Sequence, residues 1–235
     1  MNLPLLVEIP AVLMPLVSRN RESFQAAVAA AGRGMEHADT ALFAAADRSH
    51  GAHAAPEATV GAVNGREEGG PTTTPPDWPT DRWQQWDRVT TASDFVLQQA
   101  IQNPAMLLDL IASGDLDRAF KPGELREQIA QAVAQASSED ELARTLRRQR
   151  ARQQVRIIWR DLNRLADLVQ TCRDLSDMAD ACIDQAYQWL YPRQCQQFGT
   201  PMGRRSGEQQ HMVVLGMGKL GAVELNLSSD IDLIF

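Results

Sequence analysis

The stretch from His211 to Phe235 leaves the backbone few options. It passes from a short apolar segment, His211-Met212-Val213-Val214-Leu215, straight into Gly216-Met217-Gly218-Lys219-Leu220-Gly221, and closes on Ser228-Ser229-Asp230-Ile231-Asp232-Leu233-Ile234-Phe235. The apolar segment predicts a buried strand, Ala222-Val223-Glu224-Leu225-Asn226 a short helix, and the closing run a second strand. Side chains of a strand alternate faces, so Asp230 and Asp232 are expected on one side, with Ile231, Leu233 and Phe235 on the other. Two carboxylates side by side suit a hard divalent cation such as Mg²⁺, which takes oxygen ligands and keeps substrate phosphates in its remaining positions. Glycines let a backbone come close to phosphate oxygens, the first turn of a following helix offers unpaired N–H groups, and Lys219 adds a full positive charge.

Other readings of the same residues fare differently. Gly216, Gly218 and Gly221 match G-x-G-x-x-G, the dinucleotide-binding pattern. In that unit the ribose-binding acid comes roughly 20 residues on and closes the second strand, whereas here the acids come sooner and open it. A P-loop requires Ser or Thr after its lysine, and Lys219 is followed by Leu220. A turn with Ser228 or Ser229 as a cap and two solvated aspartates accounts for the bend. It does not account for acids leading an apolar strand.

Upstream the pattern is helical. Pro10 suits a helix start, with Val12, Leu13, Leu16, Val17 and Phe24 on one apolar face. The apolar run Leu3 to Val17 contains Glu8 and three prolines and falls short of the ~20 residues needed to cross a bilayer, so neither a membrane span nor a secretion signal is expected. From Gly32 to Pro79 alanine, glycine, proline and threonine dominate, as in Gly69-Gly70-Pro71-Thr72-Thr73-Thr74-Pro75-Pro76. Such a stretch buries too little apolar surface to offset its chain entropy and reads as a linker or insertion, apart from a short helix near Thr40 to Ala46. His37, His50 and His53 in it are expected to be solvated. The organisation is therefore an N-terminal helical segment (1–31), a linker or insertion (32–79), a helical region (80–202) and a strand-helix-strand end (203–235).

Within the helical region Trp83 and Trp86 share a face at i and i+3, and Ser93 can cap a helix that breaks before Pro104. Ser138-Glu139-Asp140-Glu141 forms a capping box opening a long helix in which Leu142, Leu146, Ile158, Leu162, Leu165 and Leu168 recur. That element carries eight arginines, Arg144, Arg147, Arg148, Arg150, Arg152, Arg156, Arg160 and Arg164. They read as a solvated face paired with acids such as Asp161 and Asp167, or as cleft residues that hold phosphate or an acidic patch of a target. A last helix is expected from Ser176 to Gln196, burying Met178, Ala181, Cys182, Ala186 and Leu190 before Gly199 and Pro201. Cys172, Cys182 and Cys195 match neither a zinc nor a disulfide spacing and are expected as buried reduced thiols. A net charge of −7 argues against a generic nucleic-acid binder.

The motif and its surroundings resemble one family. Gly216-Met217-Gly218-Lys219-Leu220-Gly221, Glu224-Leu225-Asn226 and Ser228-Ser229-Asp230-Ile231-Asp232-Leu233-Ile234-Phe235 are similar to the amino-terminal nucleotidyltransferase motif of the bifunctional glutamine synthetase adenylyltransferases and adenylyl-removing enzymes. The likeness continues in Ser93-Asp94-Phe95-Val96, in the arginine-rich stretch Arg147 to Trp159, and from Trp189-Leu190-Tyr191 through Phe198-Gly199-Thr200-Pro201. It covers the chain from about Trp86 onward and, weakly, the first thirty residues. The family usually has glycine, or glycine and a basic residue, where Ala222 and Val223 stand, and an aromatic residue at Leu227.

The resemblance implies a mostly α chain with a truncated α/β end, a helical region leading into the first strand-helix-strand of a polymerase-β-type nucleotidyltransferase domain. It implies a cytoplasmic, Mg²⁺-dependent activity that removes AMP from a tyrosine of glutamine synthetase by phosphorolysis. ADP is then the product, and ATP serves the opposite, adenylyl-transferring half. By matching position, Asp230 and Asp232 are the metal-binding catalytic carboxylates, and Gly216, Gly218, Lys219, Gly221 and Ser229 hold nucleotide or phosphate. The family's third carboxylate, its second half and its region for a nitrogen-signalling regulatory protein find no counterpart in these residues, so a fragment without robust activity is expected. The alternative from another class is a non-catalytic helical module that binds a partner protein through the arginine helix and the tryptophans.

Overall fold

The computed structural model describes the backbone of residues 9–46 and 77–235, and side-chain surroundings for residues 9–32 and 77–235. Eight helices and one two-stranded antiparallel sheet appear among them. His50, His53 and most of the proline- and threonine-rich stretch lie outside the described residues, as does the side chain of His37.

Pro10 feeds a 3₁₀ turn (Ala11–Leu13) that runs into α1 (Met14–Ala46), so α1 continues beyond Gly32. Val17, Phe24 and Val28 form its buried stripe. Val12, expected on that face, is 82% exposed because the 3₁₀ turn rotates it out of phase with the α-helix behind it. α2 (Thr80–Ala92) packs beside α1: Trp86 is fully buried with its ring 4.5 Å from that of Phe24, Trp83 is half-buried, and Arg21 clasps the carboxylate of Asp87. Ser93 accepts a hydrogen bond from the Val96 amide at 3.4 Å and starts α3 (Asp94–Gln102), and Pro104 opens α4 (Pro104–Ala112). A left-handed Gly123 then leads into α5 (Glu124–Ala134).

The long helix foreseen from Ser138 to beyond Leu168 is two elements. α6 (Glu139–Leu162) begins as expected, with Ser138 Oγ accepting from the Glu141 amide at 3.2 Å. The reciprocal arm differs: the Glu141 carboxylate takes the amide and hydroxyl of Ser137, at 2.8 and 2.7 Å, rather than the amide of Ser138. α6 stops where Leu165 N–H donates to the Arg160 carbonyl and Arg164 N–H to the Asp161 carbonyl, with Arg164 at φ 57°. This is a Schellman ending with arginine at the position that usually holds glycine. Asp167 caps α7 (Leu168–Phe198) by accepting from the Gln170 amide at 2.7 Å, so this helix starts before the expected Ser176. Leu165 and Leu168 are accordingly exposed.

α6 is the spine between two apolar clusters. Val155, Ile158 and Trp159 join Phe24, Trp86, Leu107 and Leu110, while Leu142 and Ile157 join Ile129, Leu175, Met178 and Trp189. Of the eight arginines, Arg144, Arg147, Arg148, Arg150 and Arg164 are exposed as the solvated-face reading has them, and those of the carboxy-terminal half of α6 correct it. Arg156 and Arg160 are 0% and 3% exposed. Arg156 donates to the carbonyls of Asp115 (2.9 Å) and Arg118 (2.7 Å) and to the Asp174 carboxylate (3.2 Å), and lies 3.5 Å from the centre of the Phe120 ring. Arg160 donates to the carbonyls of Leu116 and Leu165, and Arg152 bridges Asp109 and Asp115. Neither Asp161 nor Asp167 pairs with an α6 arginine: Asp161 accepts from the Thr171 hydroxyl, and Asp167 is the cap. Arginine can point inward here because its rigid fork satisfies several carbonyls at once. Burial nonetheless pushes the Arg156 guanidinium below its ordinary pKa, with Asp174 opposing. The three cysteines are free thiols and half-buried rather than buried.

β1 (Leu215–Gly216) and β2 (Leu233–Ile234) pair antiparallel, with Leu215 opposite Ile234 and Gly216 opposite Leu233. Between them lies α8 (Gly218–Gly221). Among the described residues no helix is long and apolar enough to cross a membrane.

Candidate functional site

The glycine turn and the acid run are held on α7. Leu220 and Leu225 are 4% and 5% exposed and join the cluster built by Leu175, Met178 and Trp189. Leu225 N–H donates to Ser176 Oγ at 3.3 Å, and that hydroxyl donates to the Cys172 carbonyl at 2.9 Å. Further along α7, the hydroxyl of Tyr187 accepts from the Met212 amide at 3.1 Å, and Tyr191 Oη donates to the Gln210 carbonyl at 2.5 Å. These tyrosines explain why the strand foreseen at His211 to Leu215 shrinks to Leu215–Gly216. The Gln210 carbonyl and the Met212 amide bond to side chains of α7 while Gln210 N–H donates to the Pro201 carbonyl, and Met212, Val213 and Leu215 are exposed rather than buried as foreseen.

The turn itself differs from expectation in one element. The short helix falls on Gly218–Gly221 rather than on Ala222 to Asn226. Glu224 N–H donates to the Lys219 carbonyl (2.8 Å) and Val223 N–H to the Leu220 carbonyl (3.0 Å), with Val223 at φ 60°. This second Schellman ending arises because burying both Leu220 and Leu225 against α7 forces the chain to reverse between them. It seats a β-branched residue in the left-handed region that suits glycine. The resemblance noted glycine as usual around Ala222 and Val223, and a backbone cost at Val223 is the consequence of its absence here.

Two glycines are required by this geometry. A Cβ on Gly221 would sit 2.4 Å from the Gly216 carbonyl oxygen, so the turn closes only without one. Gly218 has φ 55° and open space around it.

Pairing carries the turn to the acids. Met217 N–H donates to the Asp232 carbonyl at 2.9 Å, extending the β1–β2 ladder by one bond. The regular strand starts at Leu233, so Asp230 and Asp232 precede it instead of lying within it. Both are exposed, and among the described residues neither makes an ion pair or a side-chain hydrogen bond. Ser229 Oγ donates to Asn226 Oδ1 at 2.6 Å. Lys219 is exposed.

Ser229 and Asp230 line one wall of a groove of about 260 Å³ whose other wall is Arg150 and Gln154 of α6 and Met178 and Cys182 of α7. Gly216, Gly218, Lys219, Gly221 and Asp232 are outside that lining. The structure thus joins the acid run to the glycine turn through the backbone of Asp232, and to the helical body through Ser229 and Asp230. Gln154 and Tyr187 were not singled out by the sequence reading, which named Arg150 only among the eight arginines of the long helix, Ser176 only as a helix start and Tyr191 only within the family resemblance. The i, i+4 spacing of Arg150 and Gln154 was the available signal, but it resembles that of any solvated helix face. Burial lifts the Cys182 thiol to about 11, which leaves it protonated and unreactive at neutral pH. Among the described residues no group of three or more His, Cys, Asp or Glu side chains is arranged to hold a metal ion.

Comparison with known proteins places these features in context. A family model described as Glutamate-ammonia ligase adenylyltransferase matches residues 83–235. Over all 235 residues the chain is 54% identical to a bifunctional glutamine synthetase adenylyltransferase/adenylyl-removing enzyme of Pseudomonas syringae pv. tomato, and 54% identical to that of Pseudomonas putida. The corresponding enzyme of Pseudomonas aeruginosa is 50% identical over the same length. The chain covers 20% of each of these relatives, about a fifth of their length.

Proposed function

The chain belongs to the glutamate-ammonia ligase adenylyltransferase family, and from that premise we propose that residues 211–235 are the nucleotide-handling part of an adenylyl-removing centre built on a polymerase-β-type core. The proposed substrate is glutamine synthetase carrying AMP on a tyrosine, with inorganic phosphate as the second reactant. A phosphate oxygen bonds to the phosphorus of the AMP group as the bond from that phosphorus to the tyrosine oxygen breaks. The products are ADP and a free tyrosine, whose oxygen takes up a proton.

One observation supports this reading above the others. The hydrogen bond from Met217 N–H to the Asp232 carbonyl, in register with Leu215 opposite Ile234, puts the glycine turn beside the acid run. The donor set also suits Mg²⁺: the Asp230 and Asp232 carboxylates are hard oxygens, exposed and free of competing ion pairs among the described residues. In this proposal Asp230 and Asp232 hold the ion, Gly216, Gly218 and Gly221 let the backbone approach phosphate oxygens, and Lys219 and Ser229 add a positive charge and a donor. Bound Mg²⁺ would supply neutralising charge to the phosphate oxygens.

Calorimetric titration of the 235-residue chain with Mn²⁺ tests the assignment. Saturable binding that disappears in Asp230→Asn and in Asp232→Asn is expected. Identical isotherms for the three proteins would overturn it and favour the non-catalytic interaction module. Surface plasmon resonance against immobilised glutamine synthetase tests the substrate: the adenylylated form should be retained in preference to the unmodified one.

A further inference from the structure

We propose that the concavity between α6 and the corner where α3 meets α4 binds a small phosphorylated anion of the pyrophosphate type. It shares no residue with the glycine turn or the acid run. Its volume is about 400 Å³ and its lining is Gln99, Asn103, Met106, Arg144, Arg147 and Arg148, with Ala151 at one edge. Three arginines and two amide-bearing residues line it, without a carboxylate in the wall, on a chain whose net charge is −7.

The contrast along α6 carries the argument. In its carboxy-terminal half Arg152, Arg156 and Arg160 are each matched by carboxylates or carbonyls of neighbouring segments. In its amino-terminal half Arg144 and Arg147 have no hydrogen-bond or ion-pair partner among the described residues, and Arg148 has only the Thr145 hydroxyl at 3.2 Å. Glu141 is the acid closest to them along the helix. Its carboxylate is held first by Ser137, and that hydrogen bonding, followed by the charges of Arg144 and Arg148, keeps it below the usual carboxylate range.

Like charges crowded into a hollow repel one another, and an anion shared between them relieves that repulsion. Guanidinium forks match the geometry of phosphate oxygens, and the amides of Gln99 and Asn103 supply further donors from the opposite wall. A hollow lets one compact anion reach all three arginines, whereas carboxylates on a protein surface would reach them singly. A volume of this size lies within the roughly 300–1,000 Å³ of small-ligand sites.

Inorganic pyrophosphate, titrated calorimetrically into the 235-residue chain in the presence of EDTA, is the test, because the centre proposed at Asp230 and Asp232 requires a divalent ion and this site does not. Saturable binding that weakens with added salt is expected. It should fall about tenfold or more in Arg147→Gln/Arg148→Gln, the loss expected for a charged hydrogen bond, with an unchanged circular dichroism spectrum. Arg147→Lys, which keeps the charge and removes the fork, should lose part of the affinity, and Lys219→Gln none. Absence of saturable binding, or loss on Lys219→Gln with the arginine variants unaffected, would overturn the proposal. Tighter binding of poly-glutamate than of pyrophosphate would overturn it too, assigning the surface to an acidic protein partner.

Discussion

Replacing Arg156 by methionine isolates what inward-facing charge contributes to this fold. The side chain is fully buried and its guanidinium serves three acceptors: the carbonyls of Asp115 and Arg118 and the carboxylate of Asp174. Methionine keeps the packing of the aliphatic stem but leaves both carbonyls and a carboxylate only 14% exposed without their donor. Removing one partner of a buried ion pair costs about 3–5 kcal/mol, chiefly because the other charge stays buried. For a domain whose whole stability is of the order of 5–15 kcal/mol, that is a large fraction. At roughly 2–4 °C per kcal/mol for a chain of this length, the midpoint should fall by about 6–20 °C. Urea unfolding followed by tryptophan fluorescence, which reports on the buried Trp86 and Trp159, measures it directly. The double variant Arg156→Met/Asp174→Asn removes the orphaned charge and should recover part of the loss. A cost below about 1 kcal/mol for Arg156→Met, or no recovery in the double variant, would refute the view that these buried arginines are matched structural groups.

Other outcomes follow from local geometry. Gly221→Ala drives a Cβ to 2.4 Å from the Gly216 carbonyl oxygen, so the turn must open; amide hydrogen exchange of Glu224 and Leu225 should speed up while the helical core stays protected. Arg164→Gly relieves a left-handed residue at the end of α6 and should stabilise the chain by up to about 1 kcal/mol, the left-handed penalty less the entropy glycine costs, read as a higher urea midpoint. Cys182, lifted from 9.0 to about 11, should resist alkylation of the native protein at pH 8. The unfolded chain releases that proton first, so the thiol's contribution to stability is full below about pH 9 and declines as pH rises to about 11. Cys182→Ser should flatten that part of the stability curve.

Local signals in the chain were enough to determine the capped starts of α3 at Ser93 and α6 at Ser138, the break before Pro104, the shared face of Trp83 and Trp86, and the proximity of a glycine turn to an acid run. Each depends on a hydrogen bond or a periodicity spanning only a few residues, which any copy of that segment would express. Tertiary packing decided the remainder. The break after Leu162 has no glycine to announce it; Arg164 takes the left-handed position where the chain turns from α6 into α7, two helices whose apolar faces share one cluster. The inward direction of Arg156 and Arg160 depends on carbonyls some forty residues earlier in the chain. α8 moved onto the glycines because Leu220 and Leu225 both seek the apolar surface of α7. A side chain's partner across the fold is absent from its own neighbourhood in the sequence, so periodicity can state that a helix exists but not which of its charges will be buried.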